Sequence, residues 1–205
     1  MMTLIARQRT DPEETRCRIL EVAENFFRSI GYQKTSVADI ASELGMSPAN
    51  IYRFFPSKGA INECICGRIV KEVAEIAFAI ARSSDPAPEK LTRLLTAIHE
   101  HNKATLIKEK RAHEMVAVAM QENWSTIKAH LEQMTTIIEG VIREGVAAGD
   151  FDVDDPAEAA RSVKAAFVPF LHPLMIEHCL RFHDDTEERL REQLRFILRG
   201  LGKRS

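Results

Sequence analysis

Four cysteines, nine glycines and the lack of any apolar run of 18 residues remove several functions from this 205-residue chain before any motif is read. Cys17, Cys64, Cys66 and Cys179 form no C-x-x-C pair, and Cys64 and Cys66, two apart, fall on different faces of any helix. Neither a zinc site nor a disulfide framework is expected. The scattered glycines leave little material for a phosphate-cradling loop, and no Ser-His-Asp grouping stands out. Nor do the histidines give a metal pattern: His99 and His101 are two apart, His113-Glu114 belongs to no H-E-x-x-H, and no Glu-x-x-His occurs. Neither metal nor cofactor is expected, and catalysis is the weaker class of function. With no apolar span and no signal-like start, a cytoplasmic chain without a membrane segment is expected. The mixture of 45% hydrophobic and 28% charged residues is that of an ordinary folded domain.

What is there begins with Ser36 to Lys58, SVADIASELGMSPANIYRFFPSK. Ser36 and Asp39 have capping-box spacing, and Val37, Ile40, Ala41 and Leu44 share one helical face. Gly45 stands where a left-handed residue ends a helix, Met46 plugs the turn, and Ser47 caps a second helix whose first residue is Pro48. Two short helices joined by a tight turn read as a helix-turn-helix over 36–55. Upstream, Thr10 or Asp11 caps a helix with Pro12 in its first turn, and Ile19, Ala23, Phe26, Phe27 and Ile30 mark the face that backs the pair. Charge is a weaker sign: residues 1 to 60 hold eight Lys or Arg against seven acids. A basic face needs Arg7, Arg9, Lys34, Arg53 and Lys58 to converge.

A fourth helix from about Ser57 to Ser84, about 40 Å long, ends at Ser83-Ser84-Asp85-Pro86-Ala87-Pro88 and is long enough to link two domains. No strand pattern follows. Helices are expected at 88–108, 109–120, 122–148, 155–181 and 185–201, about nine in all. Within them Gly149 caps one end, Phe151 folds back on it, and Asp154-Asp155-Pro156 opens the next. Pro169 and Pro173 should kink or open the helix between Val168 and His172, because they free the carbonyls of Ala165 and Pro169.

Thr35-Ser36, Leu44-Gly45-Met46-Ser47 and Asn50-Ile51-Tyr52-Arg53-Phe54-Phe55 followed by Pro56-Ser57-Lys58 closely resemble the TetR family of bacterial transcriptional regulators. The signature covers about 13–73. The Gly145 to Phe151 end and the acidic-Pro start after it resemble that family's ligand domain more loosely. The expected fold is all-α: a three-helix DNA-binding domain over 1–56 and a helical ligand-binding and dimerisation domain over 57–205.

A helix N-terminus in the major groove brings Ser47, Pro48, Ala49, Asn50 and Arg53 to base edges, where Asn50 and Arg53 hydrogen-bond and Ala49 rests on a thymine methyl. Tyr52 and the Ser36 and Ser47 hydroxyls are assigned to phosphates, with Lys58 as a clamp beside a helix dipole. The resemblance implies the same roles, although many relatives carry Lys-Gly where Pro48-Ala49 stand. It also implies a small-molecule cavity among the middle helices. Its candidate walls are Leu95, Ile98, Met115, Val118, Met120, Trp124, Met134, Ile138, Phe167 and Phe170, beside Leu94 as plain core. His99, His101, Asn102 and Thr105 are its candidate polar anchors. In the last two helices Ala160, Val163, Phe167, Leu171 and Leu174, and Leu190, Leu194, Ile197, Leu198 and Leu201, form stripes expected to pair in a two-fold homodimer. The expectation is a regulator, most simply a repressor, released from palindromic operator DNA by an apolar or amphipathic effector. A helical enzyme or a protein-binding dimer without operator binding is the alternative.

Overall fold

The computed structural model describes residues 11–108, 110–122, 125–181 and 185–202, and for a few of these the backbone alone. Trp124, Thr10, Arg7 and Arg9, and the side chain of Leu174, therefore lie outside the described set. The described residues are all helical, without a strand, in α1 (Pro12–Ser29), α2 (Val37–Glu43), α3 (Pro48–Tyr52), α4 (Lys58–Ala81), α5 (Ala87–Lys108), α6 (Lys110–Gln121), α7 (Ser125–Ala148), α8 (Pro156–Leu171), α9 (Pro173–Arg181) and α10 (Thr186–Leu201). One compact unit ends at Ile65 and the other begins at Cys66, so the division falls inside α4.

The first unit is built on α1. Ile19, Ala23 and Phe27 are fully buried with Ile40 and Ala41 of α2, Ile51 of α3 and Ile61 of α4. Asp11 caps α1 by accepting from the Glu13 amide at 3.1 Å, with Pro12 as its first residue. Both bonds of the Ser36–Asp39 capping box are formed.

In the second unit Leu91, Leu94, Leu95 and Ile98 of α5, Met134, Ile137, Ile138, Val141 and Ile142 of α7, Val163 and Phe167 of α8, and Leu190, Leu194 and Leu201 of α10 form one core. Helix α7 packs most extensively on α8. Gly149 has φ +81°, and the Asp150 and Phe151 amides turn back to the Gly145 carbonyl at 2.8 and 3.2 Å. The Phe151 ring then lies where a side chain on Gly145 would stand, 2.3 Å from its ideal Cβ. Asp155 caps α8 through the Ala157 and Glu158 amides.

The helix expected over 155–181 is two helices, which raises the number from nine to ten among the described residues. His172 precedes Pro173, whose ring disfavours a helical residue before it, and its ψ of 122° is extended. The carbonyls left open at this break are caught by α5. His99 Nδ1 lies 2.7 Å from the Phe170 carbonyl, and Asn102 Nδ2 donates to the Leu171 carbonyl at 3.0 Å. A carbonyl only accepts, so Nδ1 carries the proton, and Nε2 accepts from the Thr186 hydroxyl at 3.2 Å. His99 and Thr186 are buried, so each bond replaces one that water cannot supply.

The stripes assigned to a dimer are shared between buried and half-buried positions. Val163, Phe167, Leu190, Leu194 and Leu201 are buried in the chain's own core, and Leu171, Ile197 and Leu198 pack against it. Apolar side chains one turn apart cover whichever surface is nearest, and here that surface is α5 and α7. The large apolar groups left exposed on α8 and α10 are Val168 and Phe196, the latter 72% exposed.

His99→Leu keeps the volume but leaves the Phe170 carbonyl without its donor. A loss of ~1 to 3 kcal/mol is expected, seen as a lower urea midpoint at constant slope. An unchanged midpoint would mean the carbonyl finds another partner.

Candidate DNA-reading surface and ligand cavity

Helix α3 is five residues long, too short to stand by itself, and three contacts hold it. Ile51 is its one buried residue. The Ser47 hydroxyl caps its start by accepting from the Asn50 amide at 3.2 Å. Gly45, at φ +64°, turns the chain between α2 and α3, and the Met46 amide closes the turn on the Ala41 carbonyl at 2.8 Å. Pinned from below, the helix leaves Ser47, Pro48, Ala49, Tyr52 and Arg53 exposed and Asn50 half-exposed. Ser36 is exposed as well, but its hydroxyl donates to Asp39 Oδ2 at 2.7 Å. That bond and the Ser36 amide hold the Asp39 carboxyl below the usual carboxylate range.

Lys58 is placed differently from a free clamp. Its ammonium donates to the Tyr32 and Thr35 carbonyls at 2.8 and 3.0 Å and lies 4.3 Å from the centre of the Tyr32 ring. Partial burial pulls its pKa below the ordinary lysine value. Two of its three N–H groups thus hold the segment between α1 and α2, and one remains for a phosphate.

Arg16 of α1 does the corresponding work at the other end of α3, a role that reading the sequence missed. It donates to the Phe54 carbonyl at 3.0 Å and to Cys64 Sγ at 3.4 Å, with its guanidinium 4.2 Å from the centre of the Phe55 ring. The available signal was its position, three before Ile19 and seven before Ala23, on the buried stripe of α1.

The second unit holds a cavity of about 230 Å³. Of the residues expected to line it, Leu95, Ile98, His101, Thr105, Met120, Met134 and Ile138 do so, as does Asn102. Met115, Val118, Phe167 and Phe170 are not among its walls. Met115 and Phe167 are fully buried, and Phe170 packs edge-on against His99 with ring centres 6.2 Å apart. Unforeseen walls come from α4 (Ile69, Val70, Val73), α6 (Val116), α7 (Ile127, His130, Leu131) and α8 (Lys164, Val168, Leu171), with His172 at the break. Burial pushes both His130 and His172 below the ordinary histidine value, so each is neutral at pH 7. His130 Nδ1 is buried without a hydrogen-bond partner among the described residues. No cluster of His, Cys, Asp or Glu able to hold a metal occurs among the described residues, and no helix there is long and apolar enough to cross a membrane.

A pinned, exposed reading helix in one unit and an apolar cavity in the other define the class of ligand-responsive helix-turn-helix regulators. Residues 19–63 match the description "Bacterial regulatory proteins, tetR family", and residues 87–192 match "Tetracyclin repressor-like, C-terminal domain". The HTH-type transcriptional regulator TtgR of Pseudomonas putida is 24% identical over 167 residues, 76% of this chain and 79% of that protein. A transcriptional regulator of the TetR/AcrR family from Thermobifida fusca is 26% identical, with a TM-score of 0.63 over 93% of this chain and 100% of that one. SmeT, the repressor of the Stenotrophomonas maltophilia multidrug efflux pump SmeDEF, shares the fold at 21% identity and a TM-score of 0.67, covering 95% and 93% of the two chains. The chain belongs to the TetR family and is a transcriptional regulator rather than an enzyme. The family binds operator DNA, dimerises and binds small-molecule effectors.

The two depressed imidazoles give a pH dependence of known sign. The unfolded chain takes up protons as pH falls through the ordinary histidine value of about 6.5, while the folded chain resists, so stability falls on acidification across that range. Thermal unfolding at pH 7.5 and 5.5 should show a drop that His130→Phe reduces. An equal drop in both proteins would remove His130 from the account.

Proposed function

We propose that this chain is a repressor that works in the cytoplasm, reads a palindromic operator as a homodimer, and is released when an apolar or amphipathic small molecule enters the cavity of its second unit. The observation that carries the reading is the exposure of Asn50, Tyr52 and Arg53 on a helix whose only buried anchor is Ile51. Asn50 and Arg53 take base edges, Ala49 and Pro48 give apolar contact, and Tyr52 with the free Ser47 proton takes phosphates. Lys58 adds one donor to phosphate while its other two hold the reading unit together. The dimer surface lies on the outward face of α10, where Phe196 is exposed and Ile197 and Leu198 are only half-buried. SmeT has been solved with triclosan, and the Thermus thermophilus repressor FadR with lauroyl-CoA; both share this fold. These relatives support an effector with a large apolar part.

Footprinting of the pure protein on its own upstream DNA tests the proposal, and absence of any protected palindrome would turn it toward a binding protein without an operator. Asn50→Ala should lose ~1 to 3 kcal/mol of discrimination at one or two positions, whereas Tyr52→Phe should weaken all sequences alike. Lys58→Ala is expected to reduce the salt slope by about one and also to lower the melting temperature. A reduced slope without loss of stability would reassign it to phosphate alone. Phe196→Arg should give a folded monomer with weak operator binding, while Leu194→Arg should unfold the second unit; sedimentation with circular dichroism separates the two. Effector and operator should oppose each other by ~1 to 3 kcal/mol, and a bound effector that leaves operator affinity unaltered would sink the switch.

A further inference from the structure

The charge lining the cavity is one-sided. Among its described wall residues there is no Asp or Glu, and the one formal charge is Lys164 of α8. Its ammonium donates to the Thr135 hydroxyl at 2.6 Å and to the Leu131 carbonyl at 3.4 Å, both neutral acceptors, and it makes no ion pair among the described residues. Lys164 is half-buried, and the cavity it borders is walled mainly by Ile, Val, Leu and Met, so its charge is less screened than that of a fully exposed lysine. On α7, His130 lines the same cavity with Nδ1 buried and unpaired. No internal hydrogen bond to Nδ1 fixes the tautomer or the rotation of this ring, so the imidazole can turn an N–H toward an acceptor at little cost.

We propose that the effector is an apolar organic acid whose anionic head pairs with Lys164 and accepts a hydrogen bond from His130, its apolar body filling the space between α5 and α7. This rests on the effector-cavity reading above and narrows it to one chemical class. A neutral ligand leaves the Lys164 charge unmatched. A cationic one meets a like charge and finds no carboxylate among the described walls. The cavity exceeds the roughly 150 Å³ that admits a benzene, so a body larger than one ring is accommodated.

The test uses the full-length protein with the neutral fluorophore N-phenyl-1-naphthylamine as reporter of the cavity, displaced at pH 7.5 by decanoate, 1-decanol and decylamine, which share one apolar tail. Decanoate should displace it at ~10-fold lower concentration than decanol, with decylamine weakest, and added salt should weaken decanoate alone. Lys164→Met should bring decanoate to the level of decanol, Lys164→Arg should keep the preference, and Lys128→Met, on the exposed side of α7, should change nothing. Decanol equal to or better than decanoate in the unaltered protein would overturn the proposal. So would a folded Lys164→Met protein that keeps the preference. If the unaltered protein takes up no fluorophore, the cavity reading itself fails and the proposal falls with it. Uptake without a carboxylate preference removes the proposal alone.

Discussion

The second unit depends on how the open carbonyls at the end of α8 are satisfied. The proline at 173 disfavours a helical His172, and with the helix broken there the chain must either bury unpaired carbonyls or find donors elsewhere. His99 and Asn102, three apart on α5, supply them at 2.7 and 3.0 Å. That solution ties α5 to α8 where the cavity needs a wall, for Asn102, Leu171 and His172 all line it. It also fixes α10, because the second nitrogen of His99 engages Thr186 in that helix's first turn. One buried imidazole thereby joins three helices, two of which, α5 and α8, wall the cavity.

The reading unit solves a comparable problem with cations. A five-residue helix ends almost as soon as it starts, so its open carbonyls are a large part of its backbone. Arg16 takes the Phe54 carbonyl just beyond it, and Lys58 takes two carbonyls in the segment before α2. Both charges then serve the fold. This gives a physical sense to the near-neutral balance of residues 1 to 60: part of the positive charge there is structural, and among the described residues of that stretch the exposed cations are Arg18, Lys34 and Arg53.

The helices and the helix-turn-helix were legible because each ends in strong local chemistry. Ser36 with Asp39, Gly45, Ser47 with Pro48, Gly149 and Asp155 with Pro156 all act within a few residues of themselves, and all stand where the pattern puts them. The break at His172 was legible too, through the rule for residues before proline; reading a single kinked helix underweighted it. What could not be read was which side of a stripe faces which neighbour. The leucines of α10 satisfy the periodicity of a dimer helix and of a core helix equally, and only the position of α5 and α8 decides for the core. The cavity shows the same limit. Seven expected wall residues lie on α5, α6 and α7, but Ile69 and Lys164 enter through packing between segments about 95 residues apart in sequence, beyond any local pattern.

A ligand shifts an equilibrium only by its difference in affinity for two states, so the proposed release requires the cavity and the reading unit to be linked through structure they share. Helix α4 is the covalent candidate. Its first turn carries Lys58, whose ammonium holds the Tyr32 and Thr35 carbonyls, and its fourth and fifth turns carry Ile69, Val70 and Val73, which line the cavity. Between them the helix is unbroken from Lys58 to Ala81. Lys58 bonds carbonyls rather than a carboxylate, and because its donor is an ammonium each such bond has a net worth of ~1.5 to 3 kcal/mol. A contact of that size is strong enough to set the reading helix and weak enough for one ligand to offset.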